Sequence, residues 1–189
     1  MAAMATPTRR RSDTRGEIQR TALRRFTDQG YDKTSLREIA EDLGVTKAAV
    51  YYHFRSKEEI VESLVAEMAA ALDELIAWAA DGPATHERRL ELIRRLGVAT
   101  SGGLGNLMRC VQQNEVAFSA LPGTIDVVRR YKHELWRAAT PPDASVEDEL
   151  RVRLAIMAVL MASNAAAELG GTAQERQDAA QRVAADVMP

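Results

Sequence analysis

Between Thr46 and His53 the chain places a hydroxyl, an ammonium, two phenols and an imidazole, interleaved with Ala48, Ala49 and Val50. On one short helix these groups suit contact with a polyanion. Lys47 can reach base edges from the helix N-terminus, and the Tyr and His groups can bond phosphate oxygens and fix a register. The small alanines let the backbone enter a groove closely. No nucleophile–base arrangement accompanies them, so no catalytic residue is assigned.

Such a helix has to be held by a partner at a steep angle. Ser35 and Glu38 have capping-box spacing, and Leu36, Ile39, Ala40 and Leu43 follow on one face. Gly44 ends that helix and Thr46 caps the next. Ala40 as the small contact residue, Gly44 in the turn and Val50 as the apolar lock make residues 34–57 a helix-turn-helix. Of the bulky residues beyond Val50, Tyr52 or Phe54 is expected to pack inward.

Charge supports a DNA partner. Residues 1–57 hold 12 Lys/Arg against 7 Asp/Glu, and the remainder holds 13 against 20, so a basic end sits on an acidic body. Residues 1–13, with Arg9, Arg10 and Arg11, read as a flexible basic arm. It lacks the apolar stretch of an export signal, and the longest apolar run, Leu154 to Ala162, is too short to span a bilayer. A hydrophobic content of 46% against 28% charged excludes a mostly disordered chain. The single cysteine, Cys110, excludes an intrachain disulfide and a Cys-based zinc site and fits a reducing cytoplasm. No cofactor and no metal are expected.

Helical spacing runs through the rest of the chain: Thr14 to Gly30, the two short helices, a long helix from Ser56 to Asp81, then His86–Thr100, Leu104–Leu121, Thr124–Ala139, 146–169 and 172–187. That makes an all-α fold of about nine helices, with no strand and no repeat. The domains expected are the arm 1–13, a DNA-binding domain 14–57 and an effector-binding and dimerisation domain 58–189.

The run Leu43-Gly44-Val45-Thr46, Val50-Tyr51-Tyr52-His53-Phe54 and Ser56-Lys57-Glu58, with Phe26-Thr27-Asp28-Gln29-Gly30-Tyr31 before it, resembles the N-terminal domain of the TetR-type (tetracycline-repressor-like) transcriptional regulators. The likeness covers residues 14–65; beyond them only length and helical character match. It implies phosphate contacts from Thr34 and Ser35, a base contact from Arg37, and groove-facing Thr46, Lys47 and Ala49. It implies backbone contacts from Tyr51, Tyr52, His53 and Lys57. The bland reading of Arg37 is a surface ion pair. The function implied is a ligand-responsive repressor, or an activator, on a palindromic double-stranded operator.

Readers of this kind pair as two-fold homodimers. The helix 146–169 is apolar on almost every face, and the last helix offers small residues. Leu154, Met157, Met161, Ala165, Ala180, Val183 and Val187 are therefore assigned to a dimer interface. An apolar effector pocket between the middle helices would use Met68, Trp78, Leu96, Met108, Gln112, Asn114, Phe118, Trp136, Met161 and Asn164. For each of these, plain core is the competing reading.

An enzyme is the alternative from another class. Ser101-Gly102-Gly103-Leu104-Gly105-Asn106 looks like a phosphate-cradling loop. It lacks the third glycine, no strand precedes it and no Lys-Ser/Thr pair follows, so it reads as a helix–helix connection. A helical adaptor with a vestigial motif is a further alternative.

Overall fold

The computed structural model describes residues 11–119, 121, 123–164 and 169–189; the side chains of residues 11–13, 112, 115, 124, 125, 163 and 164 are not described. Among the described residues there are ten helices and no strand. They are α1 (Arg11–Asp28), α2 (Leu36–Leu43), α3 (Lys47–His53), α4 (Lys57–Ala80) and α5 (His86–Thr100). Then come α6 (Gly103–Gln113), α7 (Glu115–Ser119), α8 (Thr124–Ala139), α9 (Val146–Asn164) and α10 (Ala173–Val187). The fold class is all-α. The chain divides into two compact units between Val61 and Glu62, inside α4.

The first unit is built on helical spacing. Ile18, Ala22 and Phe26 of α1 lie on one face and are fully buried, as are Ile39 of α2, Val50 of α3 and Ile60 of α4. The described part of the first helix runs from Arg11, ahead of the Thr14 cap expected from the sequence. Nothing between Pro7 and Thr14 forbids a helix, and each residue added to a formed helix gains a bond. Arg11 to Asp13 thus belong to α1, and residues 1–10 of the expected arm lie outside the described residues.

In the second unit α9 is the central helix, packing on α5, α6, α8 and α10. Its inner residues Val152, Ala155, Ile156 and Val159 are fully buried. This is the physical content of a helix that is apolar on most faces. The expected helix 104–121 is two helices. Asn114 breaks it with φ −121° and ψ 30°, and its side-chain amide donates to the Cys110 carbonyl at 2.9 Å. An Asn side chain that mimics a backbone donor favours a terminus over a helix interior. Gly97 marks a close approach of α5 and α10, because a Cβ there would fall 1.9 Å from the Gln181 amide nitrogen. Cys110 is buried. No described helix is long and apolar enough to cross a membrane.

Candidate nucleic-acid interface

The α2–α3 corner is fixed by short-range bonds. Ser35 accepts from the Glu38 N–H while the Glu38 carboxylate accepts from the Ser35 N–H at 2.7 Å, closing the capping box. Gly44 takes φ 63° and ψ 30° and caps α2, and the Val45 N–H reaches the Ala40 carbonyl at 3.0 Å. The Thr46 hydroxyl accepts from the Ala49 N–H at 3.2 Å and starts α3. Ala40 and Val50 are buried together in the first unit's core. Nothing lies within 4 Å of a Cβ built on Gly44, so the glycine is required by φ alone. Gly44→Ala is therefore expected to destabilise the chain by about 1–2 kcal/mol, the strain of a left-handed alanine, with Gly44→Asn losing less. Urea unfolding midpoints of the three proteins check this.

The α1 helix clamps α2 by charge. The Arg25 guanidinium meets Asp42 in two bonds of 2.6 Å and Glu38 in one of 3.3 Å. The hydrogen bonds from Arg25 hold the Asp42 carboxyl below its ordinary range. The Ser35 hydroxyl and N–H, helped by the Arg25 charge, do the same for Glu38. A carboxyl depressed in the folded state contributes stability above its unfolded pKa, near 4, and loses it as pH falls through the lower folded value. Asp42→Asn should therefore lower the urea midpoint at pH 7, with the gap to the parent closing below about pH 4. A gap that does not change with pH would refute the clamp.

On α3 the division between inside and outside is clean. Val50 and Phe54 are fully buried. Thr46, Lys47, Ala48, Tyr51 and Tyr52 are exposed, Tyr52 at 65%, and Ala49 and His53 are half-buried. Of the inward candidates beyond Val50, Phe54 takes the core position and Tyr52 does not. The Lys47 ammonium lies 5.1 Å from the Tyr51 ring centre, one helical turn on, and the Tyr52 and His53 rings meet edge to face at 5.3 Å. Ser35 and Arg37 are exposed on α2, and Arg37 is paired with Glu41 at 2.8 Å. The ion pair that the bland reading of Arg37 foresaw is thus present in the free protein.

Two assigned contacts are turned elsewhere. Thr34 is 2% exposed; its hydroxyl donates to the Gly30 carbonyl at 2.9 Å and accepts from Gln29 at 3.2 Å. It braces the α1–α2 turn, because a buried hydroxyl has to find local partners. The Lys57 ammonium donates to the Tyr31 carbonyl at 2.7 Å and sits 4.4 Å over the Tyr31 ring. Sequence reasoning missed Arg15, whose guanidinium covers the Phe54 ring at 4.2 Å and donates to the His53 carbonyl at 3.2 Å, holding the end of α3. It also missed Tyr31, which donates to Glu58 at 2.8 Å and whose phenol is pushed up by burial and by that carboxylate. These partners stand far apart along the chain, so no local spacing announces them.

In the second unit Met68, Leu96 and Met108 line a cavity of about 50 Å³ with Leu72, Leu104, Tyr131, Leu135 and Leu160. Of the other assigned pocket residues, Trp78, Asn114, Phe118, Trp136 and Met161 do not line this cavity. Trp78 is covered by the Arg88 and Arg95 guanidinium groups at 4.5 and 3.9 Å. Asn114 caps α6 and Phe118 is fully buried core. Trp136 meets the His133 ring at 5.2 Å, and Met161 is exposed. The Gln112 and Asn164 side chains lie outside the described residues. Helical spacing marks an inward face but not the empty part of it, which explains these departures.

Leu154, Met157 and Met161 form one exposed stripe on α9, continued outward by Leu150 and beside Val183 of α10. Ala180 is instead buried within the chain, because the small residue is used where α10 packs on α9. Val187 is half-buried, and Ala165 lies outside the described residues.

Residues 18–64 match the family model described as bacterial regulatory proteins, tetR family. Over 63 residues the chain is 40% identical to the HTH-type transcriptional regulator TtgR of Pseudomonas putida, which is 33% of this chain and 30% of TtgR. Over 51 residues it is 39% identical to the HTH-type transcriptional repressor KstR2 of Mycobacterium tuberculosis, covering 27% of this chain and 26% of KstR2. The chain thus covers less than a third of the length of these relatives. The KstR2 structure superposes with a TM-score of 0.67 at 20% identity, over 99% of this chain and 96% of that one. The AmtR structure of Mycobacterium smegmatis superposes with a TM-score of 0.58 at 28% identity, over 95% and 90%.

Proposed function

We propose that the chain, whose residues 18–64 match the tetR-family model, is a DNA-binding transcriptional regulator that represses by occupying a palindromic operator as a homodimer. One observation carries the reading: α3 buries Val50 and Phe54 and turns Thr46, Lys47, Tyr51 and Tyr52 to solvent. Tyr51 and Tyr52 stand outside the core beside a cation, and their groups suit groove and phosphate contact. Ser35 and Arg37 on α2 extend the contact surface, Arg37 by exchanging Glu41 for a base edge. An exposed ion pair is worth about 1 kcal/mol or less, so the exchange costs little. Ala49 lines the groove side and His53 contacts the backbone. Lys57 joins only by leaving Tyr31, and Thr34 supports from beneath.

The stripe of Leu154, Met157, Met161 and Val183 is the face for a second copy. A small, largely apolar effector occupies an enlarged form of the cavity at Met68, Leu96 and Met108. It favours the state in which the two heads are wrongly spaced, and α4 links both regions. Such an effector shifts operator affinity only by its differential affinity for the two states. Repression is favoured over activation because KstR2 is named a repressor. The reading is non-enzymatic and places the protein in the cytoplasm with the DNA.

Selection from random duplex DNA tests the core of it. An inverted repeat should be enriched, with affinity that falls steeply with salt. No enriched duplex, or binding indifferent to salt, refutes it. A sedimentation mass of one chain at micromolar concentration removes the dimer.

A further inference from the structure

A second cavity, of about 240 Å³, opens where the start of α6 meets α10, and no carboxylate lines it. Arg109, Arg176 and Gln177 contribute side chains, and Ser101, Gly105 and Asn106 complete the wall. Arg109 Nε, Arg176 Nε and Gln177 Nε2 are all buried and have no hydrogen-bond partner in the protein. The rest of each guanidinium is anchored. Arg109 donates to the Asn106 side-chain carbonyl at 2.8 Å, and Arg176 donates to the Gly170 and Gly171 carbonyls at 3.0 and 2.7 Å. Neither arginine makes an ion pair among the described residues. Glu175, next to Arg176 in the chain, accepts from the Thr172 N–H at 2.7 Å in the α10 capping box, and its carboxylate feels the Arg176 charge.

Gln177 Nε2 lies against Gly97 of α5, but the two arginine Nε donors without acceptors are a costly arrangement unless an acceptor comes from outside. Water would supply acceptors without answering the positive charge of two half-buried guanidinium groups, which Glu175 offsets at Arg176 alone. An oxyanion supplies both, and guanidinium N–H groups fit its oxygens. The first turn of α6 adds to the same field: its cap, Gly102, gives no side-chain acceptor, so the helix N-terminus is left for an anion.

We propose that this cavity is a binding site for a phosphate or a phosphomonoester, separate from the apolar cavity at Met68. It does not depend on the DNA-binding reading. The glycine-rich run 101–106 thus serves phosphate chemistry without the strand that a nucleotide loop requires. Because Arg176 also holds Gly170 and Gly171, an anion here would tie that turn to α6.

The test is calorimetric titration of the full chain with inorganic phosphate and with methyl phosphate, at constant ionic strength set by sodium chloride. Saturable binding of either supports the site; stronger binding of the ester points to a phosphorylated metabolite, and equal binding to the free ion. Phosphate could also meet the DNA-reading surface, so Lys47→Ala is run alongside and should bind as the parent does. Arg109→Gln should weaken binding by about tenfold or more, the effect of losing one charge-assisted bond. Arg176→Gln should do the same, and because Arg176 also holds the 170–171 turn, Arg109→Gln with an unchanged thermal midpoint is the deciding variant. No binding beyond the chloride control, or binding that Arg109→Gln leaves intact, overturns the proposal.

Discussion

Lys47→Ala is expected to bind the selected operator roughly ten- to a hundredfold more weakly than the parent, the loss of one specific contact in each half-site. Lys47 is the first residue of α3, where the helix dipole is positive. A cation there is unfavourable to the free helix by about 0.3–1 kcal/mol. Its ammonium has the Tyr51 ring for company and is otherwise turned to solvent. A residue placed for stability would have the opposite charge. The thermal midpoint of Lys47→Ala should therefore stay level or rise while operator affinity falls. Competition binding with operators altered at single positions separates base reading from phosphate contact. A base reader loses discrimination at one symmetric pair of positions. A phosphate contact weakens all sequences alike and lowers the salt slope by about one. An unchanged affinity would remove Lys47 from the interface.

Phe54→Ala should cost about 3–5 kcal/mol, the usual range for truncating a fully buried phenylalanine. The ring is completely buried at the end of α3, and the Arg15 guanidinium lies over it. Losing that contact adds about 0.5–1 kcal/mol at a partly exposed site. Domains are stable by only about 5–15 kcal/mol, so the loss is a large part of what holds the reading head together. Urea unfolding followed by circular dichroism gives the value, and Phe54→Leu should lose less because it keeps most of the volume. A loss under about 1 kcal/mol would show that Phe54 is not the anchor described. The two variants also separate roles: Lys47→Ala acts on DNA and not on folding, while Phe54→Ala acts on DNA only through folding.

What was legible in the chain followed the range of the forces involved. Ser35 with Glu38, Gly44 and Thr46 act over three or four residues, so the ends of α2 and α3 and the turn between them can be read directly. The apolar spacing of Ile39, Ala40 and Val50 identifies the buried faces for the same reason. Apolar residues on almost every face set helix 146–169 apart, and in the fold α5, α6, α8 and α10 pack on it while Leu154, Met157 and Met161 stay exposed. Tertiary structure decided the rest. Thr34 and Ser35 are adjacent, yet one is buried against Gly30 and Gln29 and the other is exposed. Tyr52 and Phe54 are both aromatic, and only the packed surroundings send Phe54 inward under Arg15.

The glycine-rich run 101–106 shows the same division. By itself it lacked the neighbours that phosphate chemistry needs, and α10 brings Arg176 and Gln177 to it from the far end of the chain. The opening residues, Thr46 to His53, show it most plainly. Their types alone marked a helix fit for a polyanion, since chemistry belongs to the side chain. Which of them face outward, and which neighbours hold that helix, depended on contacts between residues remote in sequence. Only the folded chain brings those together, because long-range contacts carry no local periodicity.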